Sequence, residues 1–141
     1  MILLDTSGLL AAVDASQRQH RDAARALRET PGPRILSPFV LAELDYLLAT
    51  RVGPHAALAL LDEIVQGAYS LARFETGDVA EAREVMTDYD DLDIGLADAS
   101  IVVLARRHET LDVATLDERH FRILRGPRGK PFRLLPSDLH G

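Results

Sequence analysis

Ile2-Leu3-Leu4-Asp5-Thr6-Ser7 is the stretch on which the fold turns: three aliphatic residues run straight into an aspartate and two hydroxyls. An uninterrupted apolar run reads as a strand buried on both faces of a parallel sheet. Thr6-Ser7 then read as the N-cap of a helix that carries Leu9, Leu10 and Val13. Asp5 therefore stands at the carboxyl end of a central strand, the edge where open α/β sheets bind their ligands.

Working outward, the pattern of strand followed by helix repeats. Residues 17–29 place His20, Ala23, Ala24 and Leu27 at helical spacing, and Pro31-Gly32-Pro33 ends that helix. Arg34-Ile35-Leu36 is a short second strand, and Ser37-Pro38 a cap followed by proline at the first helical position. That helix carries Val40, Leu41, Leu44, Leu47 and Leu48 on one face. A further helix over 55–65 is expected to bury Leu58, Leu61 and Ile64-Val65. Tyr69 to Ala72 is a third strand. Asp78 with Glu81 opens an acidic helix expected to bury Val79, Ala82 and Val85-Met86. Residues 96–107 leave hardly any polar face, which marks a buried helix. Asp112 to Leu116 and Phe132 to Leu135 supply the last two strands. This alternation, without repeats or linkers, predicts a mostly parallel α/β sandwich formed as one domain over residues 1–141.

Composition narrows the class. The 141 residues are 47% hydrophobic and 27% charged, a globular balance. The absence of cysteine excludes disulfides and thiolate zinc sites and fits a reducing cytoplasm. No basic segment precedes the first apolar run, and no apolar stretch approaches the roughly 18 residues of a membrane span, so a soluble cytoplasmic protein is expected. The formal net charge of -6 argues against a polyanionic partner until its distribution is considered. Nine acids and one base, Arg83, lie between Glu75 and Asp98, whereas eight of the sixteen basic residues lie between Arg106 and Arg133. Arg119, Arg122, Arg125, Arg128 and Lys130 are thus candidate contacts to a nucleic-acid backbone, with a solvated face as the plain alternative. Arg18, Arg21, Arg25 and Arg28 read as a solvated helix face with i,i+4 partners.

Four acids stand out by position. Asp5 and Asp117 each follow a strand, at the same edge if the strands are parallel. Glu43 borders the apolar stripe of its helix, and Asp98 lies near the start of the buried helix with apolar neighbours on its own face. Taken singly, Asp5 reads as an N-cap, Asp117 as a turn residue and Glu43 as a solvated helical residue. Asp98 resists such a reading, since an unpaired buried carboxylate costs several kcal/mol. Asp14, Asp22, Asp45, Asp62 and Glu63 read as surface residues. Brought together, like charges about 4 Å apart repel by roughly 4 kcal/mol at an effective dielectric near 20. Either some are protonated or a cation sits among them. Oxygen donors suit Mg²⁺ or Mn²⁺, and the chemistry favoured by such a site is phosphodiester hydrolysis.

These residues carry a family resemblance. Ile2 to Ser7, Ser37 to Leu44 with Glu43, Gly95-Leu96-Ala97-Asp98-Ala99-Ser100-Ile101 and Ala114-Thr115-Leu116-Asp117 resemble, in order and spacing, the motifs of PIN-domain ribonucleases, especially the VapC toxins of bacterial toxin–antitoxin pairs. The resemblance implies a three-layer α/β/α sandwich with Asp5, Glu43, Asp98 and Asp117 as the catalytic centre. It implies Mg²⁺ or Mn²⁺ as cofactor, held by Asp5, Asp98 and Asp117, and cleavage of structured RNA such as tRNA or rRNA, which stops translation. It further implies a homodimer and a small, DNA-binding, VapB-like antitoxin that covers the site in a heterotetramer or larger assembly.

Around that centre, Thr6 and Thr115 are candidates to hydrogen-bond the carboxylates or a bound water, with turn or cap duty as the alternative. Asp91 matches an acid often found ahead of the third motif, and Asp93 stands where such sequences frequently have proline. Both read first as loop acids and then as support for the centre. His20, His55, His108, His120 and His140 show no metal-ligand or catalytic spacing, and His120 with Phe121 reads as packing. Two other functions fit the same residues less well. An aspartate-nucleophile phosphatase needs a second aspartate where Ser7 stands, and a lysine, of which Lys130 is the one present. A non-catalytic binding module would use the acidic pocket to receive a partner's arginine.

Overall fold

The computed structural model describes residues 1–139. Its strands are β1 (Ile2–Leu4), β2 (Arg34–Leu36), β3 (Ser70–Leu71), β4 (Asp112–Ala114) and β5 (Arg133–Leu135). They lie in the order β3-β2-β1-β4-β5, and every neighbouring pair is parallel, so the sheet expected to be mostly parallel is wholly so. Ile2, Leu3 and Leu4 are buried, as a central strand covered on both faces requires. Each such aliphatic side chain contributes about 1.5–3 kcal/mol on burial, which anchors β1 against the cost of the polar group at its end.

The helices are α1 (Thr6–Val13), α2 (His20–Glu29), α3 (Pro38–Arg51), α4 (Pro54–Val65), α5 (Thr76–Asp88), α6 (Leu96–His108) and the single-turn α7 (Glu118–Phe121). The chain steps outward from β1 to β2 and β3, then crosses back to β4 on the other side of β1. Right-handed crossovers therefore put α1 to α4 on one face of the sheet and the α5–α6 pair on the other. The reversal makes the β1/β4 boundary the topological switch point, where a crevice opens at the carboxyl ends of the strands. α6 is buried nearly all round, from Ala97 through Ala105 except Asp98, as its lack of a polar face predicts.

Several local expectations are corrected. Helix α1 starts at Thr6 rather than after a Thr6-Ser7 cap. Asp5 holds the cap position with φ -91° and ψ 155°, but its side chain makes no capping bond. α5 begins earlier than Asp78, because Glu75 and Asp78 form the capping box in place of Asp78 and Glu81. It buries Ala82 and Val85 and leaves Val79 exposed. α4 packs on α3 through Ala57 and Leu60, so Leu58 is exposed and Val65 is 87% exposed. The alternating alanines and leucines of that helix allow two faces, and only the position of α3 selects one. Asp14, read as a surface residue, is buried, and its carboxylate accepts from the Ser16 backbone at 3.0 Å, the Ser16 hydroxyl at 2.8 Å and Gln17 at 3.2 Å. No helix among the described residues is long and apolar enough to cross a membrane.

Candidate active site

The end of β1 and the turn after β4 meet at the switch point because Asp5 N–H donates to the Ala114 carbonyl at 3.0 Å. Gly8, in the first turn of α1, permits this approach: a Cβ there would stand 2.2 Å from the Ala114 carbonyl oxygen and 2.7 Å from Thr115 N. The Thr115 hydroxyl donates to Asp5 Oδ2 at 2.6 Å and accepts from Asp117 N–H at 2.9 Å. Ser7 Oγ donates to the same Asp5 oxygen at 2.9 Å and accepts from Leu116 N–H at 3.0 Å. Two hydroxyls thus lock the strand-end aspartate to the β4 turn. Asp5 is 6% exposed. Burial pushes its carboxyl above the usual range, the Thr115 and Ser7 hydrogen bonds pull it back, and the Asp117 charge adds to the rise.

Asp98 lies in the first turn of α6, and His120 in the turn that follows β4. Asp117 caps that turn: its Oδ1 accepts from His120 N–H at 3.1 Å. Its Oδ2 is 3.0 Å from His120 Nδ1, and Asp98 Oδ2 is 3.5 Å from the same nitrogen. Asp98, Asp117 and His120 each offer one donor atom within 4.8 Å of the others. The Asp98 carboxyl is pushed up to about 6, first by burial and then by the Asp5 charge; His120 opposes the rise and Asp117 adds to it. Asp5 and Asp98 thus face one centre rather than opposite sides of the molecule.

The other sequence candidates fall at different distances from this centre. Glu43 is exposed and reaches it through Thr6, whose hydroxyl donates to Glu43 Oε1 at 2.8 Å. Asp91 and Asp93 are exposed in the short turn before α6 and make no side-chain hydrogen bond within the centre among the described residues. Asp93 has φ 57°, a left-handed conformation that a proline ring forbids, so this turn departs from the proline-bearing pattern. Of the basic residues, Arg119 lies beside His120, 3.4 Å from Nε2. Arg122 is held by Asp138 at 2.7 Å and by Glu118 at 2.7 Å. Arg125 is turned onto the carbonyls of Arg122 and Leu124. Arg128 pairs with Glu109 at 2.7 Å, in the loop that packs Gly126 beside Leu111 ahead of β4. Arg128 and exposed Lys130 therefore sit toward the amino edge of the sheet, away from the carboxylates.

Ser7, Gly8 and His120 are the members of the site that sequence reasoning missed. Ser7 stands two residues after Asp5, and His120 three after Asp117 on one helical turn. Both spacings were legible, but neither identifies a partner by itself. His140 lies outside the described residues.

A family model for the PIN domain matches residues 2–126, most of the chain. The chain belongs to the PIN-domain family. It is 43% identical over 135 residues to Ribonuclease VapC26 of Mycobacterium tuberculosis, spanning 96% of this chain and 100% of that protein, which sets this PIN domain among the VapC proteins. In fold it is similar to the crystal structure of Mycobacterium tuberculosis VapC20, a sarcin-ricin loop cleaving toxin. That match has a TM-score of 0.77 and 24% identity over 83% of this chain and 90% of the other. The DNA-bound VapBC2 of Rickettsia felis matches with a TM-score of 0.67 and 19% identity over 95% and 98% of the two chains.

Proposed function

We propose that the chain is a divalent-metal-dependent endoribonuclease that cleaves structured RNA and so stops translation in the cytoplasm, a toxin silenced by a VapB-like antitoxin. The observation that carries this reading is the convergence of half-buried Asp98 and Asp117 at the switch point, with buried Asp5 near enough for its charge to raise the Asp98 carboxyl, and with no lysine or arginine paired to any of them among the described residues. The donor set fits Mg²⁺ or Mn²⁺: carboxylate oxygens converge, and a buried imidazole nitrogen beside them lacks a hydrogen-bond partner. Asp5, Asp98 and Asp117 would hold the ion.

A bound divalent ion supplies positive charge that eases deprotonation of a water and offsets charge gathering on the phosphate in an in-line displacement. The chain's own groups do the rest. Thr115 and Ser7 aim Asp5 by hydrogen bonds to Oδ2, and the same bonds oppose the rise that burial causes in its carboxyl. Asp98, whose carboxyl burial and the Asp5 charge push up to about 6, would be held in its ionised form by a cation beside it. Glu43, held by Thr6, stands at the exposed rim, where it can orient the attacking water. Arg119, exposed beside His120, is placed to meet a phosphate of the RNA backbone.

VapC26 is named a ribonuclease and VapC20 a sarcin-ricin loop cleaving toxin, which supports an RNA substrate, and VapBC2 is bound to a DNA fragment from its promoter, which suits a DNA-binding antitoxin partner. A homodimer, paired with antitoxin in a heterotetramer or larger assembly, belongs to the same proposal. The test is the purified full chain with two labelled RNAs, a sarcin-ricin hairpin and bulk tRNA, in Mn²⁺, in Mg²⁺ and in EDTA. Cleavage that needs metal and leaves defined ends is expected. Intact RNA in every metal condition would overturn the reading.

A further inference from the structure

We propose that His120 lends Nδ1 to the ion site as a nitrogen ligand beside Asp98 and Asp117, so that the centre selects a first-row transition ion such as Mn²⁺ over Mg²⁺. The inference rests on the nuclease reading above, since it takes the acidic centre to hold an ion.

His120 is 9% exposed, and its Nδ1 is the one buried side-chain nitrogen or oxygen among the described residues that lacks a hydrogen-bond partner. It is nevertheless 3.0 Å from Asp117 Oδ2 and 3.5 Å from Asp98 Oδ2. Without an aligned N–H···O bond, Nδ1 is left free to meet an ion placed between it and these oxygens. Two donors bound at right angles to one six-coordinate ion, each at about 2.1 Å, stand about 3 Å apart. The carboxylate is free for this task on the correct side, because Asp117 Oδ1 already accepts from His120 N–H at 3.1 Å and leaves Oδ2 for the ion. The same bond fixes the histidine backbone, so the ring enters the centre from a capped helical turn.

Ligation through Nδ1 requires a change on the far side of the ring, where Nε2 now faces a donor. Nε2 has a long 3.4 Å contact to the Arg119 guanidinium, which can only donate. Ligation leaves the ring proton on Nε2, and exposed Arg119 turns to solvent. Imidazole is a good donor to first-row transition ions, whereas Mg²⁺ prefers an all-oxygen shell and parts reluctantly with water. One imidazole added to the three carboxylates therefore tilts the site away from Mg²⁺.

The full chain is titrated with MnCl₂ and with MgCl₂ by calorimetry, and the bound Mn²⁺ is read by pulsed electron paramagnetic resonance. In the wild type a nitrogen coupling to Mn²⁺ is expected, and ¹⁵N-labelled histidine should change it. His120→Asn puts an amide oxygen near the place of Nδ1. It should remove the coupling and lower the Mn²⁺-over-Mg²⁺ affinity ratio by about tenfold or more. Circular dichroism checks that the variant is folded, and if it is not, the isotope experiment on the wild type decides. Bound Mn²⁺ without nitrogen coupling, or an unchanged ratio in folded His120→Asn, overturns the proposal. If RNA is still cut with Mn²⁺ in that case, the nuclease reading survives. Failure of both ions to bind removes both.

Discussion

At the carboxyl edge of the sheet, carboxylates from β1, α6 and the β4 turn crowd together with little countercharge; toward the amino edge, arginines and acids are matched pair by pair. Arg128 with Glu109 and Arg133 with Asp112 are ordinary exposed or half-exposed ion pairs, each worth at most about 1 kcal/mol. The acidic run from Glu75 to Asp98 divides the same way. Asp78 and Glu81 face Arg107 and Arg106 across the α5–α6 pair, and Asp98 alone of that run enters the centre. Unbalanced charge is costly when buried, so its persistence at one edge marks the place that expects a ligand. Balanced charge at the other edge needs no such explanation.

The hardest blow to this contrast would be a fully active Asp98→Asn. That variant should keep its circular dichroism spectrum and lose about 10³-fold or more in RNA cleavage rate. Gly8→Ala tests the backbone approach that assembles the edge. The added methyl meets the Ala114 carbonyl and Thr115 N with no flexible side chain to yield, so a cost of about 3 kcal/mol is expected in urea unfolding. Thr115→Val removes the donor to Asp5 and the acceptor of Asp117 N–H together. It should cost about 1–3 kcal/mol of stability and lower cleavage about 10- to 100-fold.

The pH dependence of stability sharpens the comparison further. Asp98 has its carboxyl raised from 3.8 to about 6, so the folded state holds the proton more tightly than the unfolded chain. Its contribution is largest below about pH 4 and is lost as pH rises through 6. In EDTA the protein should therefore be more stable at pH 5 than at pH 7.5, by on the order of 1–2 kcal/mol, and Asp98→Asn should flatten that slope. The lowered carboxyls of Asp78 and Asp138 act oppositely, but only at and below the ordinary carboxylate range. The smallest effects belong to the amino edge: Arg128→Ala and Lys130→Ala should change cleavage by less than about twofold. A tenfold loss in either would bring the RNA across that edge and erase the distinction.

What the linear order determined is the set of elements and the register of the acids within them. Ile2 to Leu4 could be read as a doubly buried strand, Ser37-Pro38 as a cap, and residues 96–107 as a buried helix, because apolar periodicity and capping chemistry act over a few residues. It also put Asp5 and Asp117 after strands and Asp98 on a buried helix. Tertiary structure decided which of these positions touch. The return crossover from β3 to β4 brings Thr115 onto Asp5, turns Ser7 from an expected cap into a clasp, and swings His120 from expected packing into the acidic centre. It also carries Arg128 to the far edge, though in sequence it lies as near Asp117 as many residues of the site do. Such meetings depend on sheet order and on backbone approaches such as that at Gly8, and these are properties of the assembled layers that no local pattern of side chains encodes.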